Sequence, residues 1–245
     1  MVKPWFHLEV VPAGGGLVQL SRQEARHAAG SRRLGPGDLV VVFDGRGTLA
    51  EGRISDQRDH AGNLEIELGP AHTLPEPSPR IELCASLPKG DRLSTMLDMA
   101  TQAGMGSFRP LECEWSVRKA SGMRSDQGER WQRIFLEACK QSGQAWLPRI
   151  ASPLDPITVA RTARDEGQLV LAAQQGGVPI NEAVPDDLDA VTILIGPEGG
   201  FSERELHGLG EAEARFVSLG RAIFRVEAAA AMAVWAVQSA RTSET

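Results

Sequence analysis

Short apolar runs dominate the first third of the chain. Leu39–Phe43, Leu49–Ile54 and Leu64–Leu68 each have the length of a strand and are separated by glycine-bearing turn signals. Several short strands at this spacing are typical of a small β-barrel. A capping-box pattern at Ser21–Glu24 also predicts a helix over 25–32. We therefore expect an all-β domain that one helix interrupts.

The apolar pattern changes after a proline-rich segment. Residues 74–79 hold three prolines, which cannot continue a strand ladder and therefore predict a stiff linker. Beyond it, stripes at helical spacing alternate with apolar runs that are typical of strands buried on both faces. This alternation predicts an α/β domain with a mostly parallel sheet over 80–245, after the β-barrel domain over 1–73. The predicted strands are Ile81–Leu87, Phe108–Leu111, Leu169–Ala173, Val191–Ile195 and Phe216–Leu219, and the predicted helices are Asp91–Gln102, Gln127–Ser142, a short one after Ser202, and Arg225–Ser239.

Two of the predicted strands end in glycine-bearing loops. The first loop reads Gly-Pro-Glu-Gly-Gly over Gly196–Gly200, and the second begins at Gly220. Ligands bind at the carboxyl ends of strands in open α/β sheets, and glycine allows the backbone to approach a ligand closely. Neither loop is a Walker A or a GxGxxG motif, so a nucleotide-phosphate cradle is not indicated. A tight turn from strand to helix explains the same glycines equally well.

Charge, cysteine spacing and apolar run length argue against disulfide-rich, metal-binding and membrane-spanning proteins. The net charge is −6, and the acidity lies in residues 151–245, which carry 7 basic and 14 acidic side chains. The rest of the chain is nearly neutral, with local basic clusters that suit either a solvated face or phosphate contacts. Three distant cysteines indicate neither a disulfide framework nor a metal site. We expect a cytoplasmic protein, because no signal peptide or membrane span is evident.

The stretch Val191–Glu227 carries a family resemblance. LIGPEGGFSERE, followed by SLG and the R.E that opens the last helix, resembles the SPOUT methyltransferases, and more narrowly the bacterial 16S rRNA uridine-N3 methyltransferase (RsmE) family. Residues 26–45, 87–111 and 129–148 agree with that family in the same order. The resemblance implies a PUA-like β-barrel that binds RNA, followed by a SPOUT α/β domain with a deep trefoil knot.

The cofactor and the partners follow from this resemblance. It implies that S-adenosyl-L-methionine is bound by three loops of the knot and that no metal is needed. It further implies that the partners are 16S rRNA of the small ribosomal subunit and a second copy of the chain, bound through the C-terminal domain, with no membrane. The implied cofactor-binding residues are Leu171, Ala172, Ala173, Ile195, Gly196, Pro197, Gly199, Gly200, Leu219, Gly220, Ile223 and Phe224.

The expected chemistry is methyl transfer to N3 of a uridine. N3 is protonated at neutral pH, so a cation beside the uracil carbonyls and a positioned base would both help. Arg225 is the predicted cation, and Glu198 is the predicted base or cofactor-orienting group. Glu227 either caps the helix dipole or pairs with Arg225. The predicted RNA-binding residues are Arg26, His27, Arg33, Lys89, Arg92, Arg118 and Lys119, the last two because they form a local basic cluster.

The chain departs from the family pattern at several polar positions. Met99, Gln102, Ala222, Ala228 and Gly30 stand where the family usually has charged or hydroxyl residues. These departures leave two alternatives open. One is a SPOUT methyltransferase that acts on another RNA base, and the other is a non-catalytic protein for RNA binding or ribosome assembly.

Overall fold

The chain divides into two units in the computed structural model, which describes residues 3–21, 24, 34–58, 64–117 and 126–240. The first unit comprises residues 1–76 together with the segment 139–147. The second unit comprises residues 77–138 and 148–245. Each unit has its own hydrophobic core. Among the described residues, no helix combines the length and the apolarity needed to cross a membrane.

The first unit is built on a β-sheet, as its sequence pattern predicts. Its sheet has the strand order β1-β3-β4-β5-β2, with β6 paired to β4. β1 runs parallel to β3, and the other pairs are antiparallel. The helix predicted over 25–32 lies outside the described residues. The strands are β1 (Trp5–His7), β2 (Gly16–Gln19), β3 (Leu39–Phe43), β4 (Thr48–Arg58), β5 (Leu64–Leu68) and β6 (His72–Thr73).

A buried ion pair lies inside the first unit. Lys140 Nζ donates to both carboxylate oxygens of Glu24, at 2.9 and 3.0 Å. Both residues are buried. Because an unpaired charge in this position would cost several kcal/mol, about 3–5, each side chain requires the other. The pair attaches segment 139–147 to Glu24, whose own N–H donates to Ser21 Oγ at 3.2 Å.

The second unit is an α/β domain with a parallel sheet, which confirms the predicted class. The strand order is β12-β10-β11-β7-β8-β9, and every pair is parallel. The strands are β7 (Arg80–Ser86), β8 (Ser107–Leu111), β9 (Arg149–Ile150), β10 (Leu169–Pro179), β11 (Ala190–Ile195) and β12 (Arg215–Ser218), and the described helices are α1 (Arg92–Gln102), α2 (Asp126–Ser142), α3 (Pro156–Asp165), α4 (Ile180–Ala183), α5 (Glu203–Glu211) and α6 (Val226–Ser239).

Both faces of the central strands are buried. Val170, Ala172 and Leu194 pack with α3 and α5 in one core. The alternate residues Leu171 and Ile193 are also fully buried, and α6 contacts β7 and β11. This arrangement explains the continuous apolar runs in the sequence, since a strand covered on both faces has no polar side. The trefoil knot remains a prediction.

Candidate cofactor cavity and active site

A cavity lies at the carboxyl ends of three adjacent parallel strands. β10 pairs with both β11 and β12, so the irregular part of β10 after Ala173 and the loops after β11 and β12 lie next to one another. The cavity has a volume of about 300 Å³. Its lining residues are Ala173, Gln174, Gln175, Ile195, Gly196, Pro197, Glu198, Gly199, Gly200, Val217, Ser218, Leu219, Gly220, Ala222, Ile223, Phe224, Val226 and Ala229.

Two glycines give the cavity loops their shape. After β11, the N–H of Gly200 donates to the carbonyl of Pro197 at 2.8 Å, which closes a tight turn with Gly200 at φ +78°. After β12, Gly220 adopts φ +130°, and its N–H donates to Ser218 Oγ at 3.2 Å. Residues with a Cβ rarely adopt these backbone angles. The glycines therefore set the course of the backbone around the cavity.

Ten of the twelve predicted cofactor-binding residues line this cavity. They come from β10 at the start of its irregular part and from the ends of β11 and β12 with the loops that follow, so the structure brings together groups that are separated by up to some fifty positions in the chain. Leu171 and Ala172 do not line it, because their side chains are buried within β10. Whether any of the twelve binds the cofactor remains a prediction. The ten are Ala173, Ile195, Gly196, Pro197, Gly199, Gly200, Leu219, Gly220, Ile223 and Phe224.

Sequence reasoning missed several residues of the lining. Gln174 and Gln175 follow the apolar part of β10 and bring two side-chain amides to the cavity. The predicted strand ended at Ala173, whereas β10 continues to Pro179 beyond an irregularity in its pairing with β12. A pair of amide side chains directly after a buried strand is the signal that could have identified them.

Arg92 links two carboxylates at the edge of the cavity. Its Nη1 lies 3.1 Å from Glu198 Oε1 and 3.9 Å from Glu227 Oε2. Glu198 lines the cavity, and Glu227 lies in the first turn of α6. Among the residues that the structure describes, buried Glu227 Oε2 has no hydrogen-bond partner, and the positive charge of Arg92 lies 3.9 Å from it. Glu227 thus pairs with Arg92, where the sequence suggested Arg225 as a partner.

Arg225 occupies the N-cap position of α6. Its neighbours Phe224 and Val226 both line the cavity, and its own side chain is exposed. Its carbonyl accepts the N–H of Ala229 at 2.8 Å, but its side chain does not cap the helix. Within the described part of the chain, its guanidinium has no hydrogen bond or ion pair. The guanidinium of Arg225, which the sequence predicted to contact the substrate, is therefore available to bind a substrate.

The predicted RNA-binding residues are only partly described. Lys89 is exposed, in the loop between β7 and α1. Arg92 Nε donates to the carbonyl of Lys89 at 3.4 Å, while its Nη1 pairs with the two carboxylates. The other five, Arg26, His27, Arg33, Arg118 and Lys119, lie outside the described residues.

Two family models match the chain. A model described as an RNA methyltransferase domain matches residues 75–238, and one described as an RNA methyltransferase PUA domain matches residues 20–65. The two matches thus identify the chain as an RNA methyltransferase with an N-terminal PUA-like domain, which confirms both predicted domain types.

Comparison with individual relatives identifies the family of RNA methyltransferases to which the chain belongs. Ribosomal RNA small subunit methyltransferase E of Mycobacterium bovis is 30% identical over 242 residues, which cover 97% of this chain and 92% of that protein. The enzyme of the same name from Bacillus subtilis is 27% identical over 228 residues, covering 89% and 88%. The crystal structure of that methyltransferase from Neisseria gonorrhoeae bound to S-adenosyl methionine has a TM-score of 0.82 at 26% identity and covers 98% of both chains. The chain belongs to the ribosomal RNA small subunit methyltransferase E family.

Proposed function

We propose that this protein transfers a methyl group from S-adenosyl-L-methionine to N3 of a uridine in 16S rRNA of the small ribosomal subunit. Family membership supports the reaction class. The observation that carries the proposal is the cavity formed by the irregular part of β10 and by the glycine-bearing loops after β11 and β12. Cytoplasmic rRNA as the substrate implies a cytoplasmic enzyme.

The cavity suits a cofactor that has an adenosine and an amino-acid portion. Its volume of about 300 Å³ falls at the lower end of the range for small-molecule sites. Ile195, Leu219 and Phe224 offer apolar walls, which suit a purine ring. Backbone groups of the Gly196–Gly200 turn and the amides of Gln174 and Gln175 offer hydrogen bonds. When bound, S-adenosylmethionine supplies a methyl group on a cationic sulfur, so the transfer needs no further co-reactant.

The protein must overcome the weak nucleophilicity of uridine N3. The ring becomes nucleophilic when the N3 proton leaves, and the resulting negative charge spreads onto O2 and O4. A guanidinium beside either oxygen stabilises that charge in the transition state. Arg225 fits this role, because it precedes the cavity-lining Val226 and its guanidinium is exposed and unpaired within the described residues.

Glu198 serves as the base or as a group that orients the cofactor. Its carboxylate lies on the cavity rim and is held by Arg92 at 3.1 Å. A fixed carboxylate can accept a proton or hydrogen-bond an ammonium group in a defined direction. The Arg92 contact therefore positions Glu198, and RNA binding by Arg92 would have to preserve or exchange that contact.

A second copy of the chain is the proposed protein partner. Within α6, Met232 is 37% exposed and Trp235 is 61% exposed. The two lie three residues apart and so share one side of the helix. Large apolar side chains that stay exposed on an otherwise buried helix indicate a contact surface. We therefore assign the homodimer interface to this side of α6.

The function is tested by methyl transfer with a radiolabelled cofactor. The substrates are small and large ribosomal subunits from a strain that lacks this gene. We expect label in the small subunits and none in the large ones. If neither subunit is labelled although calorimetry shows cofactor binding, the protein is not an rRNA methyltransferase and one of the alternatives holds.

A further inference from the structure

An exposed tryptophan stands beside the cavity and is not used by the function described so far. Trp115 follows β8 and keeps 50% of its surface exposed. A Cβ placed on Gly199 would lie 3.4 Å from Cε3 of Trp115, which is ordinary van der Waals contact. Because Gly199 lines the cavity, the indole lies alongside the cavity loop.

Hydrogen bonds hold the turn that carries Trp115. On one side, the N–H of Glu114 donates to Oε1 of Glu205 at 2.8 Å. On the other side, Ser116 Oγ accepts the N–H of Cys113 at 3.2 Å and shares a 3.0 Å hydrogen bond with Ser86 Oγ. These hydrogen bonds hold the backbone that carries the indole, so the indole stays exposed to solvent.

The Glu205 carboxylate, which accepts the N–H of Glu114, also caps the start of α5, the helix after the Gly196–Gly200 turn. Glu205 is 2% exposed, and its Oε2 accepts the N–H of Ser202 at 2.8 Å. Ser202 Oγ in turn accepts the N–H of Glu205 at 3.2 Å. This capping box opens α5 directly after the Gly196–Gly200 turn. One buried side chain thus sets the position of Trp115 relative to that turn.

We propose that Trp115 stacks on the uracil ring of the target nucleotide. Single-stranded or extruded bases are commonly held on exposed aromatic side chains. Once N3 has lost its proton, its reactive lone pair lies in the plane of the uracil ring, so stacking on a face restrains the tilt of the ring and leaves its N3 edge open toward the cavity. Stacking tolerates any base. Trp115 therefore contributes affinity and orientation, while the choice of uracil rests on other contacts. This inference rests on the proposed function.

The first test compares Trp115→Ala and Trp115→Phe in methyl transfer to small subunits. Loss of one stacked base contact raises KM for the subunit by about 5- to 150-fold. The phenylalanine variant keeps a stacking face and should retain most of the wild-type affinity. The dissociation constant of S-adenosylmethionine should be unchanged in both variants. Wild-type KM and kcat in Trp115→Ala would overturn the proposal.

The second test does not require turnover. An unmodified 16S rRNA transcript should quench the tryptophan fluorescence of the wild type more than that of Trp115→Phe, since a stacked base quenches the indole it contacts. Equal quenching would overturn the stacking proposal. A change of Trp115→Ala from dimer to monomer in sedimentation would also overturn it, because Trp115 would then belong to the subunit contact. A wild type that quenches but labels no rRNA would instead contradict the proposed function alone.

Discussion

Arg225 is the residue on which the chemistry depends most in this interpretation. If its guanidinium stabilises the uracil anion, Arg225→Ala should lower kcat by about 10²–10³-fold, the usual cost of losing one donor to a developing anion. The dissociation constant of the cofactor should change little, because the guanidinium is not part of the cavity lining. Single-turnover kinetics and calorimetry measure the two quantities separately.

A matched control for Arg225 is available on the surface of the same unit. Arg161 pairs with Glu211 at 3.3 Å, and both side chains are 54% exposed. Arg161→Ala makes the same chemical change away from the cavity and should leave kcat at its wild-type value. Equal rates for Arg225→Ala and Arg161→Ala would remove Arg225 from the mechanism.

Arg92 and Glu227 should be energetically coupled. Glu227 Oε2 is buried and accepts no hydrogen bond from the described part of the chain. Arg92→Ala removes the cation 3.9 Å from it, and a buried unsatisfied group costs about 1–3 kcal/mol. Glu227→Gln removes the charge, so the double variant should be more stable than Arg92→Ala alone. Urea unfolding of the four proteins in this cycle measures the coupling energy. Additive effects would show that the 3.9 Å contact carries no stability.

Among the elements, the loop after β12 depends on Gly220 for its backbone conformation. Gly220→Ala forces a side chain onto φ +130°, which costs on the order of 1–3 kcal/mol and displaces the loop. We expect the affinity for S-adenosylmethionine to fall about tenfold or more by calorimetry. Gly210→Ala is the control, because Gly210 lies in α5, its φ is not positive, and its added Cβ would meet no neighbouring atom. Equal cofactor affinity in both variants would place the cofactor elsewhere.

The start of α3 depends on a charged cap. Asp155 Oδ1 accepts the N–H groups of Ile157 and Thr158 at 3.1 and 3.0 Å, and Oδ2 accepts the Thr158 hydroxyl at 2.6 Å. Partial burial opposes ionisation, but these hydrogen bonds outweigh it and lower the pKa of Asp155 below its ordinary value. Asp155→Ala should therefore cost about 1 kcal/mol at neutral pH.

The pH dependence of that cost follows from the direction of the shift. A lowered pKa in the folded state means that the stabilisation is complete above the unfolded pKa, near 4, and is lost as the pH falls through the folded value. The difference in unfolding free energy between wild type and Asp155→Ala should therefore shrink below about pH 4. Urea titrations between pH 7 and pH 3 measure it, and a difference that grows toward acid would contradict the assignment.

At the scale of the whole molecule, the exposed apolar side of α6 predicts a homodimer. Trp235→Glu places a charge on the helix side that carries Met232, so the dimer should dissociate at micromolar concentration while the fold is retained. Sedimentation velocity measures the mass, and far-UV circular dichroism checks the fold. A wild-type monomer at this concentration would contradict the interface.

The sequence predicts many strands and helices of this fold correctly. β3 and β5 begin and end at the residues predicted, and the capping box at Ser202 opens α5 as expected. The pattern analysis missed α3, although Asp155 at its N-cap, a proline in its first turn and buried residues at helical spacing mark it in the sequence. It also missed the two-residue strand β9. A two-residue strand such as β9 depends on tertiary contacts more than on local pattern.

The sequence identified the backbone loops that form the site, but it did not reveal how the side chains there pair. Glycines at strand ends identified the loops, because their conformational role is visible in the sequence. The partner of Glu227 was not visible: Arg92 lies 135 positions earlier in the chain and meets Glu227 only after the domain folds. Trp115 was likewise overlooked, since nothing local relates it to Gly199.

The most direct test of the central claim identifies the methylated nucleoside by mass spectrometry. Small subunits from a strain that lacks this gene are incubated with the protein and the cofactor, and their 16S rRNA is digested to nucleosides. We predict that N3-methyluridine appears only when both protein and cofactor are present. Another methylated nucleoside, or N3-methyluridine that forms without the protein, would contradict the assignment of this chain as a uridine-N3 methyltransferase.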